Sequence, residues 1–316
     1  MARRSRSPFA ASCAPARRTF WRRVRRRGAH DRAALRLGLI PVREQPLVRR
    51  NPVITTAVIL ARGLGTRMRA EGESTSLSAE QAAAASLGYK ALMPIGAHRL
   101  IDYSLSALAD AGITRAVVVV APEHEAFSAH VRELAPSRLR IDFAVQDEPL
   151  GTANALASAA SVVGEESMLM VNGDNLYPRE ALEAMAKVSG SAIAGFDRAS
   201  LIENSNIPAE RIASFALIRH EGNRLTGMIE KPSQSERAEF GESAPVSMNL
   251  FAFEPSIFEA CRSIAPSARG EYEIVDAVMA LESVQVVPVS GGVLDLSRRD
   301  DIADVQARLS HVDVRL

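Results

Sequence analysis

Cysteine is almost absent from this chain: two among 316 residues, Cys13 and Cys261, in no shared motif. That excludes a disulfide framework and a thiolate metal site, and it points to a reducing compartment, the cytoplasm. No apolar run approaches the roughly 20 residues needed to span a bilayer. The basic N-terminus also lacks the uninterrupted apolar core of a secretory signal, so a soluble protein with no membrane partner is expected. The six histidines fall at no metal-binding spacing, and no serine or cysteine sits in a nucleophile motif, which argues against covalent catalysis. No internal repeat is visible.

Acids are scarce in one place only. Residues 1–50 hold fifteen arginines, no lysine, and just Asp31 and Glu44, a net charge of +13; with +1 overall, the rest of the chain carries −12. The body is therefore acidic and is not expected to bind nucleic acid. The first fifty residues read as a separate, disordered basic arm, with a nucleotide-handling domain expected over 51–316. Three readings of the arm stay open: a transit peptide, a tether to nucleic acid or anionic membrane, or a non-functional extension.

What is present is 47% hydrophobic sequence, ample for a core, and one stretch around which the body is arranged. An apolar run from Thr56 to Ala61 predicts a buried parallel strand, and it empties into Arg62-Gly63-Leu64-Gly65-Thr66-Arg67-Met68. Gly63 and Gly65 let backbone N–H groups approach an anion closely, and Arg67 offers a planar fork of donors suited to phosphate. Two familiar alternatives fail. A dinucleotide fingerprint wants a third glycine where Met68 stands, and a Walker loop wants Gly-Lys-Ser/Thr.

Downstream, Ser78-Ala79-Glu80-Gln81 has capping-box spacing ahead of a helix to Leu87, closed by Gly88. This helix is either a surface decoration or a lid over a bound nucleotide. Lys90 precedes the apolar segment Ala91 to Ile95. Helices are then predicted at Leu100 to Gly112, Glu123 to Leu134 and Thr152 to Val163, alternating with strands at Ala116 to Ala121, Leu139 to Val145 and Ser167 to Val171. Such alternation predicts a mostly parallel sheet covered on both faces, with ligands beyond the carboxyl ends of its strands. Gln146 to Thr152 and Asn172 to Asn175 fall at those ends. Past residue 190 the reading changes to strands at Phe215 to Arg219, Leu225 to Glu230 and Val246 to Phe253, and a last helix runs from about Asp300 to Leu309.

Asp174 and Asp295, each at a loop edge, suit a hard, oxygen-preferring cation such as Mg²⁺. Cations, backbone amides and two carboxylates together describe charge stabilisation around phosphates, the chemistry of phosphoryl or nucleotidyl transfer.

These segments, in this order, resemble the sugar-1-phosphate nucleotidylyltransferases, from about residue 53 to the C-terminus. Leu60-Ala61-Arg62-Gly63-Leu64-Gly65-Thr66-Arg67-Met68 looks like the family's signature loop, and Lys90 with Pro94 like its second basic element. Gln146 with Pro149-Leu150-Gly151-Thr152-Ala153 resembles the base-binding segment, and Glu230-Lys231-Pro232 the sugar-phosphate clamp. The resemblance implies a Rossmann-like α/β core, a mixed, mostly parallel sheet with helices on both faces. It implies attack by a sugar-1-phosphate oxygen on the α-phosphorus of an NTP, with pyrophosphate leaving. Leu60, Ala61, Gly63, Gly65, Thr66, Gln146, Gly151 and Thr152 would bind the nucleotide, and Arg67, Lys90 and Lys231 would be catalytic. Glu230, Lys231 and Asn249 would hold the sugar phosphate, and Asp174 and Asp295 the Mg²⁺. A glutamine at 146 is associated with uracil or thymine, so UTP or dTTP is the expected donor. A homo-oligomer is compatible with the sequence. Arg62 departs from the family's usual Gly or Ala, and the segment from Arg69 to Lys90 is longer than usual. A catalytically silent sugar-nucleotide-binding subunit is the alternative; a glycosyltransferase of similar core lacks support, since no Asp-x-Asp is found.

Overall fold

Residues 53–63, 65–69 and 77–316 are described in a computed structural model, and all lie within one unit, Arg49–Leu316. The basic arm expected over 1–50 lies outside the described residues. The strands, in chain order, are β1 Thr56–Leu60, β2 Pro94–Ile95, β3 His98–Arg99, β4 Arg115–Val120 and β5 Arg140–Val145. There follow β6 Met168–Asn172, β7 Asn175–Leu176, β8 Ala192–Phe196 and β9 Leu217–Glu221. The last four are β10 Arg224–Ile229, β11 Val246–Phe253, β12 Gln285–Val289 and β13 Leu294–Asp295. Nine of them form one sheet in the order β5-β4-β1-β6-β11-β8-β12-β10-β9, while β2–β3 and β7–β13 are two-stranded pairs.

The half built from β5, β4, β1 and β6 is parallel throughout, and its register aligns Leu60 with Val119 on one side and Asn172 on the other. Their carboxyl ends therefore open along one edge. The other half is mixed: β11 runs antiparallel to β6 and β8, β12 is parallel to β8, and β9 and β10 close the sheet as an antiparallel pair.

Period-two alternation explains why the first half reads as unbroken apolar runs. Ala57, Ile59, Val118, Val120, Leu169 and Val171 pack into one core cluster, whereas Val58, Val117, Val119, Met168 and Met170 pack into another on the opposite face. The first is covered by Ile101, Leu105 and Leu108 of the helix Leu100–Asp110 and by Leu182 and Met185 of the helix Arg179–Ala186. The second is covered by Leu156 of the helix Thr152–Ser158, Ile257 of Ser256–Ser263 and Ala277 of Ile274–Met279. The expected single helix Thr152 to Val163 is broken at Ala159 into Thr152–Ser158 and Ala160–Val163.

The capping box at Ser78 is formed: Gln81 N–H donates to Ser78 Oγ and Ser78 N–H to Gln81 Oε1, both at 3.1 Å. The helix Ala79–Leu87 buries Ala84 and Ala85 against Met68, Met93 and Ile95 in a third cluster that also takes Ile302 and Val305 of the C-terminal helix Asp301–Leu309. It is a bracket against the body. None of its residues lines the main cleft, so the lid reading is set aside.

Candidate active site

Three backbone hydrogen bonds fix the aligned strand ends. Ala61 N–H donates to Val119 O, Gly173 N–H to Leu60 O and Gln146 N–H to Val120 O, each at 2.9 Å. The loops they release surround a cleft of about 450 Å³. Leu60, Ala61, Gly63, Gly65, Thr66, Lys90, Gln146, Gly151, Thr152 and Asp174, ten residues expected from sequence, line it.

Two glycines are required by the space. Gly65 has φ 58°, and a Cβ there would lie 2.5 Å from the Gly88 carbonyl oxygen, at the C-cap of the bracket helix. Gly151 has φ 108°, and its Cβ would meet the Tyr272 carbonyl oxygen at 2.6 Å and nitrogen at 2.8 Å. Tyr272 N–H donates to Leu150 O and Ala153 N–H to Tyr272 O, so residues 269–273 are strapped to the cleft wall through this glycine.

Lys90 starts a short 3-10 turn, Lys90–Leu92, and its Nζ donates to Asp174 Oδ2 at 2.8 Å. Both side chains are only partly exposed, 19% and 27%, which makes this the charged pair of the cleft floor. Arg62 does not obstruct the loop. Its Nε donates to Gln146 O at 2.7 Å and its Nη2 to Asp147 O at 2.8 Å, clamping the loop after β1 to the loop after β5.

Five expected residues do not line the cleft. Arg67 is exposed, because the turn Thr66–Arg69 buries Met68 and leaves its neighbour outside. Asp295, the second expected metal ligand, is enclosed by protein partners. Its side chain is 8% exposed, ion-paired with Arg211, and its carboxylate accepts from Asn175 Nδ2 at 3.1 Å and Ser297 Oγ at 3.2 Å. It lies beside Asp174 only through backbone, where Leu296 N–H donates to Asp174 O at 2.9 Å. Among the described residues no group of three or more His, Cys, Asp or Glu side chains could hold a metal ion. Of the two aspartates expected to hold the metal, only Asp174 lines the cleft, and it fits a hard cation only if phosphate oxygens and water complete its shell.

Glu230 and Lys231 are exposed at the end of β10. Concave surroundings strip part of the hydration of Glu230, and this, ahead of the Glu273 and Glu271 carboxylates, pushes its pKa above the ordinary glutamate value; Arg269 pulls the other way. Arg269 is itself drawn to Glu273, Nη2 to Oε1 at 2.5 Å. Lys231 at φ 48° and Asn249 at φ 56° are left-handed, and with Ala135 they are the described non-glycine residues at positive φ. Asn249 lies where the β11–β8 register shifts between Ser247 and Phe251. Left-handed backbone at two residues flagged for one role is strain of the kind kept at functional sites. Tyr177 ties this bulge to the cleft. Its hydroxyl donates to Met248 O at 2.7 Å and accepts from Asn172 N–H at 3.3 Å, and burial pushes its pKa up.

Asn172, Pro149 and Glu271, which were given no individual role from sequence, also line the cleft. The first two adjoin expected residues. Glu271 follows Arg269-Gly270, a segment whose approach to Gly151 depends on long-range packing that no local pattern encodes.

The nucleotidyl transferase family model matches residues 56–290. A UTP–glucose-1-phosphate uridylyltransferase from Haloferax volcanii is 26% identical over 258 residues, 80% of this chain and 96% of that one. A glucose-1-phosphate thymidylyltransferase from Streptomyces griseus is 28% identical over 253 residues, 79% of this chain but 64% of its own length. In fold, the chain resembles the crystal structure of UDP-glucose pyrophosphorylase complexed with UDP-glucose, with TM-score 0.64 and 17% identity over 81% of this chain and 98% of that one. With its glycine loop and paired Lys90 and Asp174 in one cleft and these likenesses taken together, the chain belongs to the nucleotidyl transferase family, among the sugar-1-phosphate nucleotidylyltransferases.

Proposed function

We propose that the protein transfers a nucleotidyl group from UTP or dTTP to a hexose 1-phosphate, releasing pyrophosphate. The observation that carries this reading is the meeting, in one cleft, of a glycine loop able to hold phosphates, a lysine–aspartate pair and a base-reading amide. A phosphate oxygen of the sugar 1-phosphate attacks the α-phosphorus, a P–O bond forms there, and the α–β bridge breaks with its electrons on the departing pyrophosphate. The backbone N–H groups of Gly63 and Gly65 and the Lys90 ammonium stabilise charge on the triphosphate. Lys231 orients the attacking phosphate, and Glu230 and Asn249 accept or donate hydrogen bonds to the sugar. Arg67, turned to solvent, receives no contact in this assignment.

Asp174 would hold Mg²⁺, which when bound neutralises phosphate charge; Asp295, paired with Arg211, would not. We also place the reaction in the cytoplasm, a reading supported by the cysteine-poor composition. Among the described residues no helix is long and apolar enough to cross a membrane.

The test is a matrix of four NTPs against several sugar 1-phosphates with pyrophosphate detection. Release only in wells holding UTP or dTTP together with a hexose 1-phosphate is expected. NTP binding with no release in any well would favour the silent, sugar-nucleotide-binding alternative.

A further inference from the structure

Gln146 is 4% exposed, and nearly every polar atom it carries is committed to the protein. Its main chain is held on both sides, by Val120 O at 2.9 Å and by Arg62 Nε at 2.7 Å. Its side-chain Nε2 lies 3.2 Å from Gly151 O and 2.7 Å from Asn154 Oδ1. A backbone carbonyl can only accept, so the amide nitrogen has to face Gly151 and the side chain cannot be turned over. A primary amide has two N–H bonds, and these two acceptors use both. Oε1 is left. It has no protein partner and is not among the buried side-chain atoms stranded without one, in the described residues.

Asn154 is well placed to enforce this. It lies on the helix Thr152–Ser158, whose first turn is fixed by Ile274 N–H donating to Thr152 Oγ1 at 3.0 Å and Ala153 N–H donating to Tyr272 O at 2.9 Å.

We propose that Asn154 is a positioning residue for base choice: by taking the second N–H of Gln146 it leaves that side chain able only to accept from a nucleotide. The inference rests on the reading that this cleft takes an NTP. A pyrimidine with a proton on N3, uracil or thymine, donates to Oε1. Cytosine presents a lone pair at N3, and two acceptors face each other unsatisfied, which lowers affinity by roughly tenfold or more. Guanine carries a comparable ring N–H, so the discrimination is between pyrimidines.

Calorimetric titration of UTP and of CTP into wild type, Asn154→Ala, Asn154→Leu and Asn154→Asp reads the effect without turnover. Wild type should favour UTP by about tenfold or more, and Ala and Leu should cut that ratio toward one, because the released N–H can be offered to cytosine N3. Asp should keep the ratio: its carboxylate accepts the same N–H, and its charge weakens both triphosphates alike. Melting curves check that each variant folds. Equal affinities in wild type, or a ratio unmoved in both Ala and Leu, overturn the inference and leave the transfer reaction untouched. A ratio that behaves as expected in a protein that releases no pyrophosphate overturns transfer alone.

Discussion

At the level of single side chains, the two aspartates assigned alike from sequence separate by environment. Asp174 shares a partly open cleft with Lys90, where an ion pair contributes little to stability, under about 1 kcal/mol. Asp295 is sealed against Arg211, and removing one partner of a buried pair costs about 3 kcal/mol. Asp174→Asn is therefore expected to unfold at nearly the wild-type denaturant midpoint while losing turnover, and Asp295→Asn to unfold at a markedly lower one. A stable Asp295→Asn with abolished metal-dependent activity would restore that residue to the metal site.

Lys231 allows a sharper experiment. Glycine relieves about 1–2 kcal/mol of left-handed strain at φ 48° and adds about 0.5–1 kcal/mol of unfolded-chain entropy. Lys231→Gly should thus be as stable as wild type or slightly more so, yet lose activity by about 10²-fold or more; retained turnover would remove the lysine from the reaction. Glu230 makes a pH-dependent contribution. Its folded pKa is raised, so the stability it brings is fully present below the ordinary glutamate range and is lost as pH rises through the raised value. Glu230→Gln should then gain on wild type at neutral pH and not at pH 4, compared by urea unfolding at both.

Among elements, the strands of the parallel half were legible because both faces are buried. Predicted Ala116 to Ala121 and Leu139 to Val145 differ by a residue from the observed Arg115–Val120 and Arg140–Val145. Val246 to Phe253 matches β11 to the residue, although it carries the left-handed Asn249. β8 and β12 passed unread. Ala192–Phe196 contains a glycine and Gln285–Val289 a proline, so neither stands out from a buried turn, and what makes them strands is pairing across the sheet. Most of the cleft lining was legible for the same local reason, since its residues follow strands directly. The role of Glu271 was not legible, because it reaches the cleft through the strapping of Tyr272 to Leu150 and Ala153. That strap yields a prediction of its own. Gly151→Ala places a methyl group into Tyr272 backbone at a left-handed φ, and a loss of about 2–4 kcal/mol in unfolding free energy is expected, with weaker NTP binding.

Across the whole unit Arg49–Leu316, one nine-stranded sheet carries both groups of residues assigned roles in the proposed reaction. The parallel half presents the loops that line the cleft, and the mixed half carries Glu230, Lys231 and Asn249. A nucleotide bound only by the folded state raises its stability, by about 2.7 kcal/mol at a hundred times the dissociation constant, so UTP should raise the melting temperature and CTP should do so less at equal concentration. The unit Arg49–Leu316 holds every residue invoked in the reaction. A chain comprising residues 49–316 is expected to fold and to turn over as the full chain does, with steady-state rates of the two compared side by side.

The most direct measurement follows the α-phosphorus itself. UTP labelled at that atom is incubated with glucose 1-phosphate, Mg²⁺ and the protein, and the products are separated. The label is predicted to move into a nucleoside-diphosphate sugar, one equivalent per pyrophosphate released, and only when the sugar phosphate is present. Label that stays in UTP with every sugar phosphate tried, or that emerges as UMP regardless of the sugar, would contradict the account.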